Sequence, residues 1–396
     1  MRISFTKGLS TFFSKPIFRD ERFIFGLWIL SALAMGILKS LHSGCNNYMI
    51  FKYVFWHAVE QTNLYSAYPD LYFDANHYGP VFSLVIAPFA LLPDKIGIPL
   101  WTVLISMSLY YAVRSLPVAW KYKAVILYIC IQEMLCSAAS QQTNSLVAAL
   151  IIAAFVSIHR GKDFYAGLFI AFGVFIKLYG IVGLAFFFFS RNKPKLIISC
   201  IFWSAVMFAL PMAISSPEFI IQSYQDWFHS LVGKNIENIA SMSQDVSVMG
   251  MFRRIFGHRE LSNMLFLIPA LILFALQYLQ VGMYHDLRYR LGLLASALLF
   301  VVLFSSGSES STYIIAAVGA GIWFISQSRP YSGYTIFLLV FVLLAICSSS
   351  DIFPASVYRN YVYPYSLKAI PFFAVWLTLI FQMLNRKWFE KSLNCL

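Results

Sequence analysis

The sequence predicts an all-α polytopic membrane protein: one domain spanning residues 1–396, built as a bundle of about 12 transmembrane helices with a re-entrant or broken segment. Three observations predict it. First, 60% of the 396 residues are apolar and only 12% are charged, against about 25% charged in an ordinary soluble domain. Second, runs such as 23–41 and 263–283 are long enough, as helices, to cross roughly 30 Å of hydrocarbon. Third, the excess of 29 Lys+Arg over 17 Asp+Glu is concentrated in short loops between apolar runs, the pattern that orients a membrane chain and calls for no nucleic acid.

In chain order, basic residues precede the apolar run 23–41, which continues past Ala32-Leu33-Ala34 and so reads as an uncleaved signal anchor. A first polar loop follows, about 42–79. Its opening, 46–61, has helical character, with Asn46, Asn47, His57, Glu60 and Gln61 within about 140° of one another around the wheel. That stripe reads either as the polar face of a helix skimming the headgroups or as the wall of a site. The short piece 81–93, bounded by Pro80 and interrupted by Pro88, reads as re-entrant, because irregular backbone at membrane depth needs protein or a water-filled cavity to satisfy it.

Further candidate spans are 98–113, 124–139, 143–158, 165–177, 179–190 and 196–214, then 263–283, 290–305, 311–326, 333–350 and 369–384. The interval 215–262 reads as a second, longer outer loop. With both termini in the cytoplasm, most Lys and Arg fall on the cytoplasmic side, including Arg114, Lys121 and Lys123, then Arg191, Lys193 and Lys195, and finally Arg386, Lys387 and Lys391. The six cysteines are scattered, with no spacing that fits a metal or a disulfide framework. Neither a metal nor a cofactor is expected.

Ionisable groups at membrane depth are costly unless they face a cavity or a partner. Asp74, His77 and Tyr78 crowd the end of the first loop; Asp74 reads equally as a reactive acid or as a turn residue. Gln142 and Asn144 lie in a polar turn between two apolar runs. Lys177 interrupts another run, as a snorkelling cation or as counter-ion to an anionic ligand group. Glu133 is a candidate partner for Lys177. In the second loop, Gln244 and Asp245 precede Arg253-Arg254, whose forked donors suit phosphate oxygens. Glu309 sits at the outer end of two spans.

No Walker loop, GxGxxG, HExxH or GxSxG occurs in a fitting context, so nucleotide hydrolysis and serine or zinc hydrolysis find no support. A transporter or flippase of lipid-linked sugars would use similar residues, but it calls for paired broken helices in two halves, and no such repeat is visible. A glycan ligase or polymerase of the O-antigen kind, with its key residues in a late outer loop, stays open.

Three blocks resemble glycosyltransferase family 87, which includes polyprenol-phosphate-mannose-dependent mannosyltransferases. The first block comprises Asn63-Leu64-Tyr65, Tyr78-Gly79-Pro80, Ala87-Pro88-Phe89-Ala90-Leu91-Leu92-Pro93 and Trp101. The second runs Gln142-Thr143-Asn144, His159-Arg160-Gly161-Lys162, Ala166-Gly167, Lys177. The third is Ser243-Gln244-Asp245 through Arg253-Arg254.

The resemblance implies a GT-C fold in a bacterial inner membrane, an extracytoplasmic site, a polyprenyl-phosphate hexose donor and a lipid or glycan acceptor. Arg253, Arg254 and Lys177 would then bind the donor phosphate. The remaining cleft residues would be Asn46, Asn47, His57, His77, Tyr78, Gln142, Asn144, Gln244, Asp245 and Glu309. The family usually carries an Asp at the start of the first loop as catalytic base, whereas the best matching positions here are Asn46 and Asn47. A neutral amide cannot take the proton, so the expected base is Asp74, then Glu60.

Overall fold

The protein was analysed as a computed structural model that describes residues 15–42, 45–241, 243–385 and 388. Arg2 and Lys7 ahead of the first apolar run, the Arg386, Lys387 and Lys391 cluster, and Cys395 lie outside them. Among the described residues all regular structure is helical. Four helices are long and apolar enough to cross a membrane alone: α1 (Glu21–Leu41), α4 (Asp94–Ser115), α5 (Trp120–Ala139), and α8 (Lys193–Ala209) extended by a 3₁₀ turn to Ala213. Between the first two lie α2 (Asn46–Glu60) and α3 (Phe82–Ala90). At nine residues, α3 extends only about 14 Å and cannot cross.

The shorter apolar helices are α6 (Asn144–His159), α7 (Asp163–Ile176), α11 (Asn263–Leu276), α12 (Leu287–Leu303), α13 (Tyr313–Ile325), α14 (Gly333–Cys347) and α15 (Ala369–Leu384). The interval read as one long outer loop contains α9 (Pro217–Ala240) and α10 (Val248–Phe256). The sequence does mark the start of α9: Ser216 caps it by accepting from the Phe219 N–H, Pro217 occupies the first turn and Glu218 supplies an acid there.

Contacts between helix ends sort the bundle into two poles. At one, Arg114 Nε meets Glu21 Oε1 at 2.5 Å, Trp120 Nε1 donates to Arg19 O and Arg160 Nη2 donates to Ser115 O. Arg288 Nε donates to Ser326 O, which joins the start of α12 to the end of α13. The turns on the opposite side of these helix pairs, 140–143 and 304–312, therefore lie at the other pole. Buried α12 and α13 run up the centre of the apolar core.

Residues 163–190 form a hairpin. After α7 the chain breaks at Lys177 and returns as a 3₁₀ leg, Leu178–Phe189, until Ser190 Oγ donates to Asp163 Oδ1 at 2.7 Å. Both feet thus stand at the basic pole. Gly173 and Gly180 let the legs meet below the tip: a Cβ on Gly180 would fall 2.2 Å from Gly173 C. The first loop comes down onto this tip, where the Gly79 N–H donates to Ile176 O, and a Cβ on Gly79 would strike Phe175 O at 2.1 Å. Residues read as two short spans with a charge between them therefore hold that charge at the apex of one element.

Candidate functional site

Between the first loop, the hairpin tip, α9 and the 304–309 turn lies a cleft of about 320 Å³. Of the residues singled out from sequence, it brings together Asn47, Asp74, His77, Tyr78, Gln142, Lys177, Gln244 and Glu309. They come from six separate stretches of chain.

The floor is a hydrogen-bonded chain from a cation to an acid. Lys177 Nζ donates to Asn144 Oδ1 at 3.1 Å, Asn144 Nδ2 to Gln142 Oε1 at 2.7 Å, and Gln142 Nε2 to Glu309 Oε2 at 2.7 Å. Asn144 starts α6, Lys177 ends α7, and Glu309 caps the turn leading to α13. The Gln-x-Asn spacing thus supplies two amides whose dipoles align between opposite charges. Rings of Tyr78 and Tyr179 lie 5.9 Å and 4.6 Å from the Lys177 ammonium. Among the described residues its contacts are neutral hydrogen-bonding and aromatic groups, so an anion entering the cleft meets a cation with no contacting counter-ion there. Glu133, proposed from sequence as a partner for Lys177, instead pairs with Lys368 at 2.7 Å inside the bundle.

The rim is the first loop clamped under α9. Trp227 Nε1 donates to His77 O, His77 Nδ1 lies 2.7 Å from Ser230 Oγ, and Lys234 Nζ contacts both carboxylate oxygens of Asp74 at 2.9 and 2.8 Å. Asp74 has φ +70°, a left-handed position that Asp tolerates better than most residues. Burial pushes its carboxyl up, but His77, with Nε2 3.6 Å away, together with Lys234 and the Ala75 N–H overrides that and holds it well below the usual carboxylate range. In this state Asp74 is an ionised acid with a cation already on it.

Asn46 explains how that acid is presented. Its Nδ2 donates to Phe73 O and its Oδ1 accepts from the Phe73 N–H, both at 2.7 Å. An ionised Asp could make only the second bond, because a carboxylate accepts and does not donate. At one of the two positions where the resemblance leads one to expect an acid, the amide therefore grips the residue next to Asp74. Asn47 lines the cleft and donates to Ser140 O at 2.7 Å.

The structure leaves other sequence candidates outside the cleft. His57 and Glu60 lie toward the far end of α2, about 15 and 20 Å along the helix from Asn47, and line a different groove. Arg253 is buried and spends its guanidinium on Asp245 at 2.8 Å, on Leu261 O and on Asn263 Oδ1. Asp245 is correspondingly occupied by Arg253 and by Ser247 Oγ. Arg254 donates to Ser366 Oγ and to the carbonyls of Ser241 and Gln244. Neither arginine lines the cleft; together they brace the segment carrying Gln244. Forked donors satisfy carboxylates and carbonyls as readily as phosphates, so the Arg-Arg pair is equally suited to this internal role.

Lys234, Asn235, Asn238, Tyr179, Ser305 and Ser306 complete the polar side chains of the lining and were not singled out from sequence. The signal for those on α9 was helical spacing: Trp227, Leu231, Lys234 and Asn238 recur at intervals of four, three and four. Reading 217–240 as loop hid it.

A family model, glycosyltransferase family 87, matches residues 76–306, from the end of the first loop into the 304–309 turn. No curated protein matches the chain.

Proposed function

The chain belongs to glycosyltransferase family 87, and from that premise we propose that it transfers a hexose, in first place mannose, from a polyprenyl-phosphate sugar to a lipid or glycan acceptor. In this reading the bundle is GT-C-like, with about a dozen crossings, and sits in a bacterial inner membrane. The basic pole and both termini are cytoplasmic, and the cleft opens on the outside. The observation that carries the reading is the cleft itself: two lysines, two carboxylates and a chain of amides around one cavity.

The donor phosphate lies between Lys177 and Lys234, with its tail in the lipid. Lys177 is available as found. Lys234 turns from Asp74 toward the phosphate, and this exchange makes Asp74 more basic at the moment an acceptor is needed, because the cation that held its charge has moved. The acceptor hydroxyl attacks the anomeric carbon on the face opposite the phosphate, the bond from that carbon to the phosphate oxygen breaks, and the hydroxyl proton passes to Asp74. Polyprenyl phosphate leaves with the bonding electrons, its charge stabilised by the lysines, and the displacement inverts the anomeric centre. Glu309, steadied by Gln142, orients the acceptor hydroxyls.

The test is incubation of purified protein in vesicles with radiolabelled polyprenyl-phosphate mannose and a membrane lipid extract. Label appearing in a new glycolipid or glycan is the expected result. Movement of intact donor between leaflets without transfer would replace the enzyme with a flippase.

A further inference from the structure

The polar stripe of α2 serves two places. Its N-terminal end enters the cleft through Asn47, while its C-terminal end lines a separate open groove of about 520 Å³ with Lys52, Tyr53, Trp56, His57 and Glu60, facing Leu91 and Pro93. Lys52 is neutralised by Asp94 at 2.8 Å. Glu60, exposed, carries no ion pair or hydrogen bond from its side chain among the described residues. The groove therefore has one carboxylate in excess.

His57 forms part of the wall, only 4% exposed, and its Nδ1 has no hydrogen-bond partner among the described residues; nor does the hydroxyl of buried Tyr72. The His57 ring packs on Tyr68 with centroids 4.2 Å apart and lies 5.7 Å from Tyr53. Aromatic rings with a polar handle, an ammonium and a free carboxylate make a lining that both donates and accepts hydrogen bonds and offers flat apolar faces. The excess negative charge disfavours a phosphate headgroup, in contrast with the two lysines of the cleft. A neutral polyhydroxylated ring suits the aromatic faces, the ammonium and the free carboxylate of the groove.

We propose that this groove is a saccharide subsite that holds a neutral hexose unit of the acceptor glycan, several units away from the reacting hydroxyl. It rests on the transferase reading for the word acceptor, and on the groove alone for the sugar. From Asn47 to Trp56 and Glu60 the helix advances about 14 to 20 Å, so short acceptors reach the cleft without touching the groove while longer ones span both.

The experiment uses the full-length protein in detergent and a ladder of neutral manno-oligosaccharides, from disaccharide to hexasaccharide, without donor. Binding is read by saturation-transfer NMR, and KM for each length is read in the transfer assay. Binding of the longer members is expected to weaken tenfold or more in Trp56→Ala and in Glu60→Gln, with KM rising for long acceptors only. Glu60 is exposed, so its variant tests the groove without disturbing the core. Binding and KM that ignore both substitutions at every length overturn the subsite while leaving the transferase standing. Binding that depends on Trp56 and Glu60 in a protein that transfers nothing keeps the subsite and removes the transferase.

Discussion

Two kinds of buried charge coexist in this molecule. At Arg253 and Asp245 the opposite charges touch, both side chains are 2% exposed, and the remaining guanidinium nitrogens are spent on Leu261 O and Asn263. Glu133 and Lys368 repeat the pattern at 2.7 Å. On the cleft floor, Lys177 and Glu309 are instead kept apart by Asn144 and Gln142. Charges neutralised by contact have their electrostatic demand met inside the fold, and removing one partner strands the other. Charges held apart by neutral amides are positioned without being neutralised, which leaves them for a ligand. Asp74 and Lys234 stand between the two kinds: in contact with each other, yet part-exposed at the rim.

The largest effect that bears on this contrast is on turnover. Asp74→Asn should lower transfer by about 10² to 10⁴-fold, the usual contribution of a general base, or about 3 to 5 kcal/mol, with donor binding close to wild type. Activity within tenfold of wild type would move the base to Glu309, and Glu309→Gln decides that directly.

Next comes stability. Asp245→Ala strands Arg253 and should cost about 3 to 5 kcal/mol, visible as a lower unfolding temperature of the detergent-solubilised protein. Lys177→Met should leave that temperature unchanged or raise it. Equal losses in the two variants would erase the distinction between paired and separated charges.

Lys177→Met should weaken donor affinity by about 1.5 to 3 kcal/mol, the scale of a charge-assisted bond, measured by competition with polyprenyl phosphate. Arg254→Met should leave donor affinity alone, and a loss of equal size there would return the phosphate to the arginine pair.

A smaller effect concerns pH. Lys234 helps hold the Asp74 carboxyl below its ordinary range, so Lys234→Met should raise it and shift the acid limb of kcat/KM toward higher pH. The linkage has the same sign: a carboxyl lower in the folded than in the unfolded state stabilises the fold above its ordinary pKa and loses that contribution as pH falls through the folded value. Acid unfolding of Lys234→Met should therefore lose part of its steepness below about pH 4. An unmoved acid limb would show that Lys234 does not govern Asp74.

The smallest expected change is Asn46→Asp, about 1 kcal/mol of stability for the lost bond to Phe73 O. Introduced into Asp74→Asn, it also asks whether an acid at that position restores transfer.

What could be read from sequence was what length and hydropathy encode. The apolar stretches coincide with helices, and the short piece 81–93 contains a helix too short to cross, because burying that much apolar side chain leaves few alternatives in a bilayer. Partner choice was harder to read. Lys368 lies more than 200 residues after Glu133, and nothing local to either residue names the other. Arg253 and Arg254 look the same in sequence whether their acceptor is a phosphate or a carboxylate eight residues earlier. On α2, a helical wheel gathers His57 and Glu60 with Asn47 by angle while ignoring their separation along the axis, so residues on one stripe end in two different cavities. Helix α9 was missed because its polar content resembles a loop, although its capping residues and the spacing of Trp227, Leu231, Lys234 and Asn238 were present.

The hairpin has a consequence for how the chain tolerates insertions and deletions. Its rising leg has 14 residues in α conformation and its returning leg 12 in 3₁₀ conformation. At about 1.5 Å per residue for the first and about 2.0 Å for the second, they span roughly 21 and 24 Å. Twelve α-helical residues would span only about 18 Å and would leave Ser190 short of Asp163. The stretched return thus acts as a ruler: removing one residue between 178 and 189 shifts the tip by about 2 Å or breaks the closure at its feet. The height of the Lys177 ammonium is therefore written in the number of residues beneath it as much as in the identity of its neighbours.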